Sequence, residues 1–225
     1  MTEHVNPKRA YRSPRREAQA AATRAEILAA AQRLFEQQGY AATTMAAVAS
    51  EARVALKTVY VAFETKSGLL RALWNARLRG DDEEIPVSAQ DWYRAVLEER
   101  DPERQLRRNA RNSAEGKQRI GALAEVIRAA AAVDEDIAAL WSRIQTEYRA
   151  NQHAIVATLA HKKALRRGLD VERAADILWT INHPSVWQLL VVERGWTQED
   201  YERWSGDLAC AQLLRPVRPK LSQAT

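Results

Sequence analysis

Residues 43–63 read TTMAAVASEARVALKTVYVAF, and this stretch decides the fold. Thr43-Thr44 stands before Met45-Ala46-Ala47-Val48-Ala49. A Thr at an N-cap satisfies one of the N–H groups that a helix start leaves unpaired, so a short helix begins there and ends near Glu51. A second short helix spans about Ala55 to Ala62. Its period turns Val59 and Phe63 inward and leaves Leu56, Lys57 and Tyr60 more exposed. Upstream, Ala18 to Gln38 places Ile27, Leu28, Ala31, Leu34 and Phe35 on one face. Gly39 follows as a C′ residue, where a left-handed backbone suits only glycine. Downstream, a helix from Ser67 to Arg79 carries the stripe Leu69, Leu70, Leu73, Trp74 and Leu78. A longer helix followed by two short ones makes a helix-turn-helix. Its second short helix enters the major groove, where base edges differ, while the others brace it. Many all-α proteins contain short helices, so periodicity alone does not establish DNA binding.

The remaining chain is also helical. Asp81-Asp82-Glu83-Glu84-Ile85-Pro86 is a charged break, which puts a domain boundary near residue 80. A helix is expected over Ser88 to Glu99, and Asp101-Pro102 starts another, since Pro is tolerated at the first helical position. Gly116 and Gly121 loosen the chain before an Ala-rich segment, Leu123 to Ala132. Asp134, Glu135 and Asp136 place acids on the first turn of a long helix, where they suit its dipole. Asp170 opens a helix running to about Arg194, kinked at Pro184, with Gly195 as its C′ residue. Thr197-Gln198-Glu199-Asp200 resembles a capping box, with Trp196 and Tyr201 placed as a hydrophobic staple. The last helix ends near Leu214. No strand-like alternation of useful length appears. The expected fold is all-α: an N-terminal three-helix helix-turn-helix domain and a larger C-terminal helical domain, about nine helices or more. Residues 1–17 read as a flexible basic arm, 18–80 as the helix-turn-helix domain, and 81–225 as a second, all-helical domain.

Composition narrows the function. The chain has 225 residues, 46% hydrophobic, so a core can form and wholesale disorder is disfavoured. No apolar run approaches the ~20 residues a membrane span needs, and the polar, basic first thirty residues lack a signal-peptide core. One cysteine, Cys210, excludes an internal disulfide, and four scattered His disfavour a zinc module. His153 and His161 lie about 12 Å apart along one helix, too far to share a metal ion. The net charge is +5. Lys8, Arg9, Arg12, Arg15, Arg16 and Arg24 gather at the N-terminus, where they either neutralise phosphates or form a solvated tail. No G-x-S-x-G, Walker loop, H-E-x-x-H or partnered Cys nucleophile supports an enzyme. No cofactor is expected, and the protein is expected to be cytoplasmic, bacterial and nucleoid-associated when bound to DNA.

The residues themselves carry a family resemblance. Thr23-Arg24, Ile27-Leu28, Ala30-Ala31, Leu34-Phe35, Gly39-Tyr40, Thr43-Thr44-Met45, Val48-Ala49, Ala52, Val54, Thr58-Val59-Tyr60, Phe63, Lys66 and Leu69-Leu70 resemble the DNA-binding region of the TetR/AcrR regulators. Asp176 to Trp179, His183 to Trp187, and Arg194-Gly195-Trp196 with Tyr201 and Trp204 resemble the paired C-terminal helices of one branch of that family. The resemblance implies that Thr44 hydrogen-bonds a phosphate, beyond its role as an N-cap, and that Lys66 pairs with another. Thr58 and Tyr60 then contact the DNA backbone, Tyr60 reaching a base or packing its ring beneath the helix. Ala55, Leu56 and Lys57 occupy the positions that meet base edges. Ala and Leu suit thymine methyls, and Lys suits guanine O6 or N7, or a phosphate.

Two positions depart from the family pattern. Arg53 stands where Gly is usual; in a left-handed turn this costs about 1–2 kcal/mol, which a phosphate contact can offset. Ala55 stands where Ser or Thr is common, removing an N-cap worth roughly 1 kcal/mol.

The resemblance further implies that 18–80 is the DNA-binding domain and 81–225 a C-terminal helical regulatory domain for ligand binding and dimerisation, with a homodimer through residues of about 170–194 and 197–214, the alternative being that these helices close the monomer's core. Two recognition helices about 34–36 Å apart can read a palindromic operator. Seven Trp suggest an effector pocket. Trp92, Trp141, Ile144, Tyr148, Trp179 and Asn182 are its candidates, with ordinary packing as the competing account of each Trp. The function implied is a sequence-specific repressor released from its operator by a small-molecule effector. The alternative is a ligand-independent DNA-binding regulator.

Overall fold

The computed structural model describes residues 14–79 and 87–216. Residues 1–13, most of the expected basic arm, lie outside these, as does the charged break after Arg79. In chain order the helices are α1 (Pro14–Ala42), α2 (Met45–Glu51), α3 (Leu56–Phe63), α4 (Lys66–Arg79), α5 (Asp91–Glu98), α6 (Pro102–Ala130), α7 (Glu135–His161), α8 (Val171–Ile181), α9 (Pro184–Trp187) and α10 (Gln198–Leu213). A 3₁₀ turn at Val87–Ala89 precedes α5, and a π-helical segment, Gln188–Glu193, continues α9. Among the described residues the only strand-like pairing is an isolated bridge between Leu165 and Leu214. The fold is therefore all-α. The chain divides into two compact units, Met1–Leu69 and Leu70–Thr225, and the division falls inside α4.

In the first unit, α1 packs on α2 and α2 on α3. Its core holds Ile27, Ala30, Ala31, Phe35, Val48, Val59, Phe63 and Leu69, all buried, while Leu28 and Leu34 of the expected α1 face are only half-buried. Phe35 stacks on Tyr40 with ring centroids 5.8 Å apart. Helix α1 starts at Pro14, inside the segment read as a flexible arm. A first-turn Pro lacks only an N–H that no helical carbonyl would have used, so it does not oppose the helix there. The helical geometry of α1 is interrupted at Gly39, whose φ of 79° is the left-handed turn expected of it. Buried Thr43 then donates its hydroxyl to the Gly39 carbonyl at 2.8 Å, tying the end of α1 to the start of α2. Thr65 caps α4: its Oγ1 accepts from the Gly68 N–H at 2.9 Å. A Cβ at position 68 would lie 2.4 Å from the Phe63 carbonyl oxygen, so only glycine permits this tight junction between α3 and α4.

In the second unit, α6 packs on α7 and α10, and α8 on α7 and α10. One cluster joins Val96, Leu106, Ile155, Leu159, Leu178 and Leu213; a smaller one joins Ala114, Trp187 and Tyr201. Asp101, Asp134, Asp170 and Thr197 cap α6, α7, α8 and α10 through their side chains. The expected helix from Ser88 begins at Asp91, after the 3₁₀ turn. Two further expectations are corrected. Helix α6 runs unbroken through Gly116 and Gly121, because tertiary packing outweighs the roughly 1 kcal/mol that each glycine costs a helix. At position 121 the helix backbone faces Trp187, whose Cδ1 would lie 3.4 Å from an added Cβ, an ordinary contact. The helix from Asp170 is not merely kinked at Pro184. It ends at Ile181, and His183 caps a new helix with Pro184 at its start, its Nδ1 accepting from the Ser185 N–H at 3.2 Å.

Candidate functional site

The period of α3 sets its surface. Val59 and Phe63 recur four residues apart and are buried; Lys57 and Val61 recur four apart on the opposite side and are exposed. Leu56 is 41% exposed, Tyr60 49% and Val61 76%. Thr58 is exposed as well. A short helix thus shows solvent an unbroken face of Leu56, Lys57, Thr58, Tyr60 and Val61. Val61 was missed in the sequence reading, although its spacing from Lys57 marks it. A valine so open to water has no packing role within this unit.

The elements around α3 hold it from both ends. At its C-terminal end the Arg24 guanidinium of α1 lies 4.4 Å over the Phe63 ring, and its Nη1 donates to the Ala62 carbonyl at 3.2 Å. At its N-terminal end Ala55 is the N-cap and offers no side-chain hydrogen bond. Thr44 caps α2, its Oγ1 accepting from the Ala47 N–H at 3.0 Å. Lys66 donates from Nζ to the Tyr40 carbonyl at 2.9 Å and lies 4.2 Å over the Tyr40 ring. This anchoring contact pairs residues 26 apart, and no local pattern announces it. Arg53 sits in the turn between α2 and α3 with a φ of 55° and is exposed. The left-handed backbone is the one glycine tolerates. Arg53→Gly is therefore expected to raise stability by about 1 kcal/mol, measured by urea denaturation. Should Arg53 also hold a phosphate, the same variant weakens DNA binding while folding better.

The second unit contains a cavity of about 160 Å³. Its walls come from α4, α5, α6 and α7, with Trp74, Trp92, Tyr93, Ile144 and Tyr148 among the lining side chains and Lys117 as a buried cation. Three of the six expected pocket residues line it: Trp92, Ile144 and Tyr148. The other three do not. Trp141 and Trp179 pack edgewise on His183, at 6.4 and 4.8 Å between ring centroids. Asn182 is buried at the break after α8, where its carbonyl accepts from the Tyr148 hydroxyl at 2.6 Å. Lys117 was not expected there. Its Nζ donates to the Ser113 hydroxyl and, at 3.3 Å, to the Ser113 carbonyl, and it lies 5.4 Å from the Tyr201 ring centre. Gln145 lines the same cavity, with its Oε1 buried and unpartnered among the described residues.

Burial shapes the titration of this region. It pushes the Lys117 ammonium down to about 7 and the Tyr148 hydroxyl upward. It also lowers His183, with the Lys117 charge adding to the effect. An unfolded lysine keeps its proton to about pH 10.4. Between about pH 7 and that value the unfolded chain binds more protons than the folded one, so stability rises with pH in that window. Lys117→Met is expected to flatten this rise, and to stabilise the protein at pH 7, in chemical denaturation at pH 7 and pH 9.

A short exposed helix, braced by a longer helix and a capped short one, makes a helix-turn-helix, the arrangement that can seat a helix in a DNA groove. Residues 27–73 match the model of the tetR family of bacterial regulatory proteins. That segment, about a fifth of the chain, is what is similar to the family. No curated protein sequence matches the chain. Solved structures share its fold. A TetR transcription regulator from Haloarcula marismortui superposes with a TM-score of 0.64 at 20% identity, covering 86% of this chain and 99% of that one. NalD, the secondary repressor of the MexAB-OprM multidrug efflux pump in Pseudomonas aeruginosa, gives 0.65 at 18%, covering 87% and 98%. A SmeT–triclosan complex gives 0.66 at 20%, covering 86% and 92%. No helix among the described residues is long and apolar enough to cross a membrane.

Proposed function

We propose that the chain acts as a homodimeric repressor that grips a palindromic operator and is released by a small-molecule effector. The exposed face of α3 carries this reading. Ala55, Leu56 and Lys57 meet base edges, and Thr44, Arg53, Thr58, Tyr60 and Lys66 contact the backbone, Tyr60 near enough to α3's open side to touch a base. An ammonium has three donors; Lys66 uses one to fix itself on Tyr40 and keeps others for a phosphate.

Dimerisation runs through residues 170–194 and 197–214. Leu189 and Val192 support it, being 53% and 60% exposed and three residues apart. Apolar side chains so placed gain from a partner surface. The cavity favours a ligand-responsive regulator over a ligand-independent one. Most of its lining surface is apolar, with polar side chains such as Ser113, Lys117 and Gln145 among it, a composition that suits small-molecule guests. The SmeT structure, of the same fold, holds triclosan. An effector that binds better when the DNA-binding units are misplaced shifts the population off the operator.

The test is selection of duplexes from a random library across a salt series. The expected product is a palindrome with half-sites about 10–10.5 base pairs apart, bound with an affinity that falls steeply with salt. Binding with no preference over random duplex overturns the proposal.

A further inference from the structure

We propose that the cavity takes a small ring-bearing monocarboxylate, its carboxylate seated on the Lys117 ammonium and its ring among Trp74, Trp92 and Tyr148. The inference deepens the ligand-responsive reading above and rests on it. Lys117 is 7% exposed, and among the described residues no carboxylate pairs with it. Its partners are the neutral Ser113 oxygens and the Tyr201 ring. A buried cation without an anion is incomplete, since buried charges are found paired. Glu147, the one carboxylate among the lining residues, is exposed and engaged in an interaction of its own. Arg77 and Arg119 also line the cavity, but both are exposed and Arg77 is engaged in an interaction of its own, which leaves Lys117 as the buried charge of the lining.

The volume limits the guest. A cavity of about 150 Å³ accommodates benzene, and this one, at about 160 Å³, suits a single ring. An anion beside Lys117 also offsets the burial that lowers its proton affinity. Its arrival would be felt at the break after α8. Tyr148 lines the cavity beside Lys117 and Ser113, and its hydroxyl donates to the Asn182 carbonyl at 2.6 Å.

The test is calorimetric titration of the full chain at pH 7 with phenylacetate, phenylacetamide and 2-phenylethylamine, which differ only in the polar head. Phenylacetate is expected to bind at least about tenfold more tightly than the amide, the margin of a charge-assisted hydrogen bond, with the amine weakest. Lys117→Met is expected to erase the advantage of the acid and leave amide binding in place. An amide that binds as tightly as the acid overturns the inference but leaves the ligand-responsive reading standing. An acid that keeps its advantage in Lys117→Met overturns it too. If none of the three binds while the operator is still recognised, the inference fails and the DNA-binding reading survives.

Discussion

A Lys57→Ala/Tyr60→Ala double variant is expected to bind the selected operator about 30-fold or more less tightly than the parent, with an unchanged melting curve. A good base contact is worth about 1–3 kcal/mol, and on the proposed reading losing Lys57 and Tyr60 together removes one such contact and a second to base or backbone. Stability should barely move. Both side chains point to solvent, and surface substitutions away from special features stay within about ±0.5 kcal/mol. Fluorescence anisotropy at fixed salt measures the first effect, and thermal unfolding the second. Equal affinity in parent and variant would remove α3 from the interface.

Phe35→Ala is expected to destabilise the first unit by about 3–5 kcal/mol, the usual cost of emptying a buried aromatic site. Phe35 is 0% exposed and stacks on Tyr40, whose carbonyl and ring also hold Lys66. The loss therefore spreads from the core to the surface proposed to contact DNA. Against a typical total of about 5–15 kcal/mol for a domain, it is large enough to unfold a small unit near body temperature. Urea denaturation followed by circular dichroism checks this. Val61→Ala, at an exposed position of α3, serves as the control and is expected to shift stability by no more than about 0.5 kcal/mol.

The N-terminal unit was legible because local chemistry and packing agree there. Gly39 adopts the positive φ its position suggested, Thr44 caps α2, and the period of α3 buries Val59 and Phe63. The second unit was less legible, because its helices answer to distant partners. Gly116 and Gly121 looked like interruptions, yet Gly121 faces Trp187, 66 residues away, and α6 continues. Pro184 signalled a bend, but the side-chain cap by His183 turned it into a new start. Periodicity gives the inward face of a helix and not which inward side chains border a void. Trp92 lines the cavity while Trp141 and Trp179 pack on His183, a sorting decided by how α7 and α8 meet the chain at residue 183. Lys117 had no mark in the sequence at all. Lysine is ordinarily solvated, and only the packing around α6 reveals it as buried.

The measurement closest to the central claim repeats the duplex selection with Lys57→Ala alone and compares the preferred sequences base by base. If α3 lies in the major groove and two copies of it act together, the variant keeps the palindrome and loses discrimination at one symmetric pair of positions, one in each half-site. A preference unchanged at every position, or altered on one side only, would contradict it.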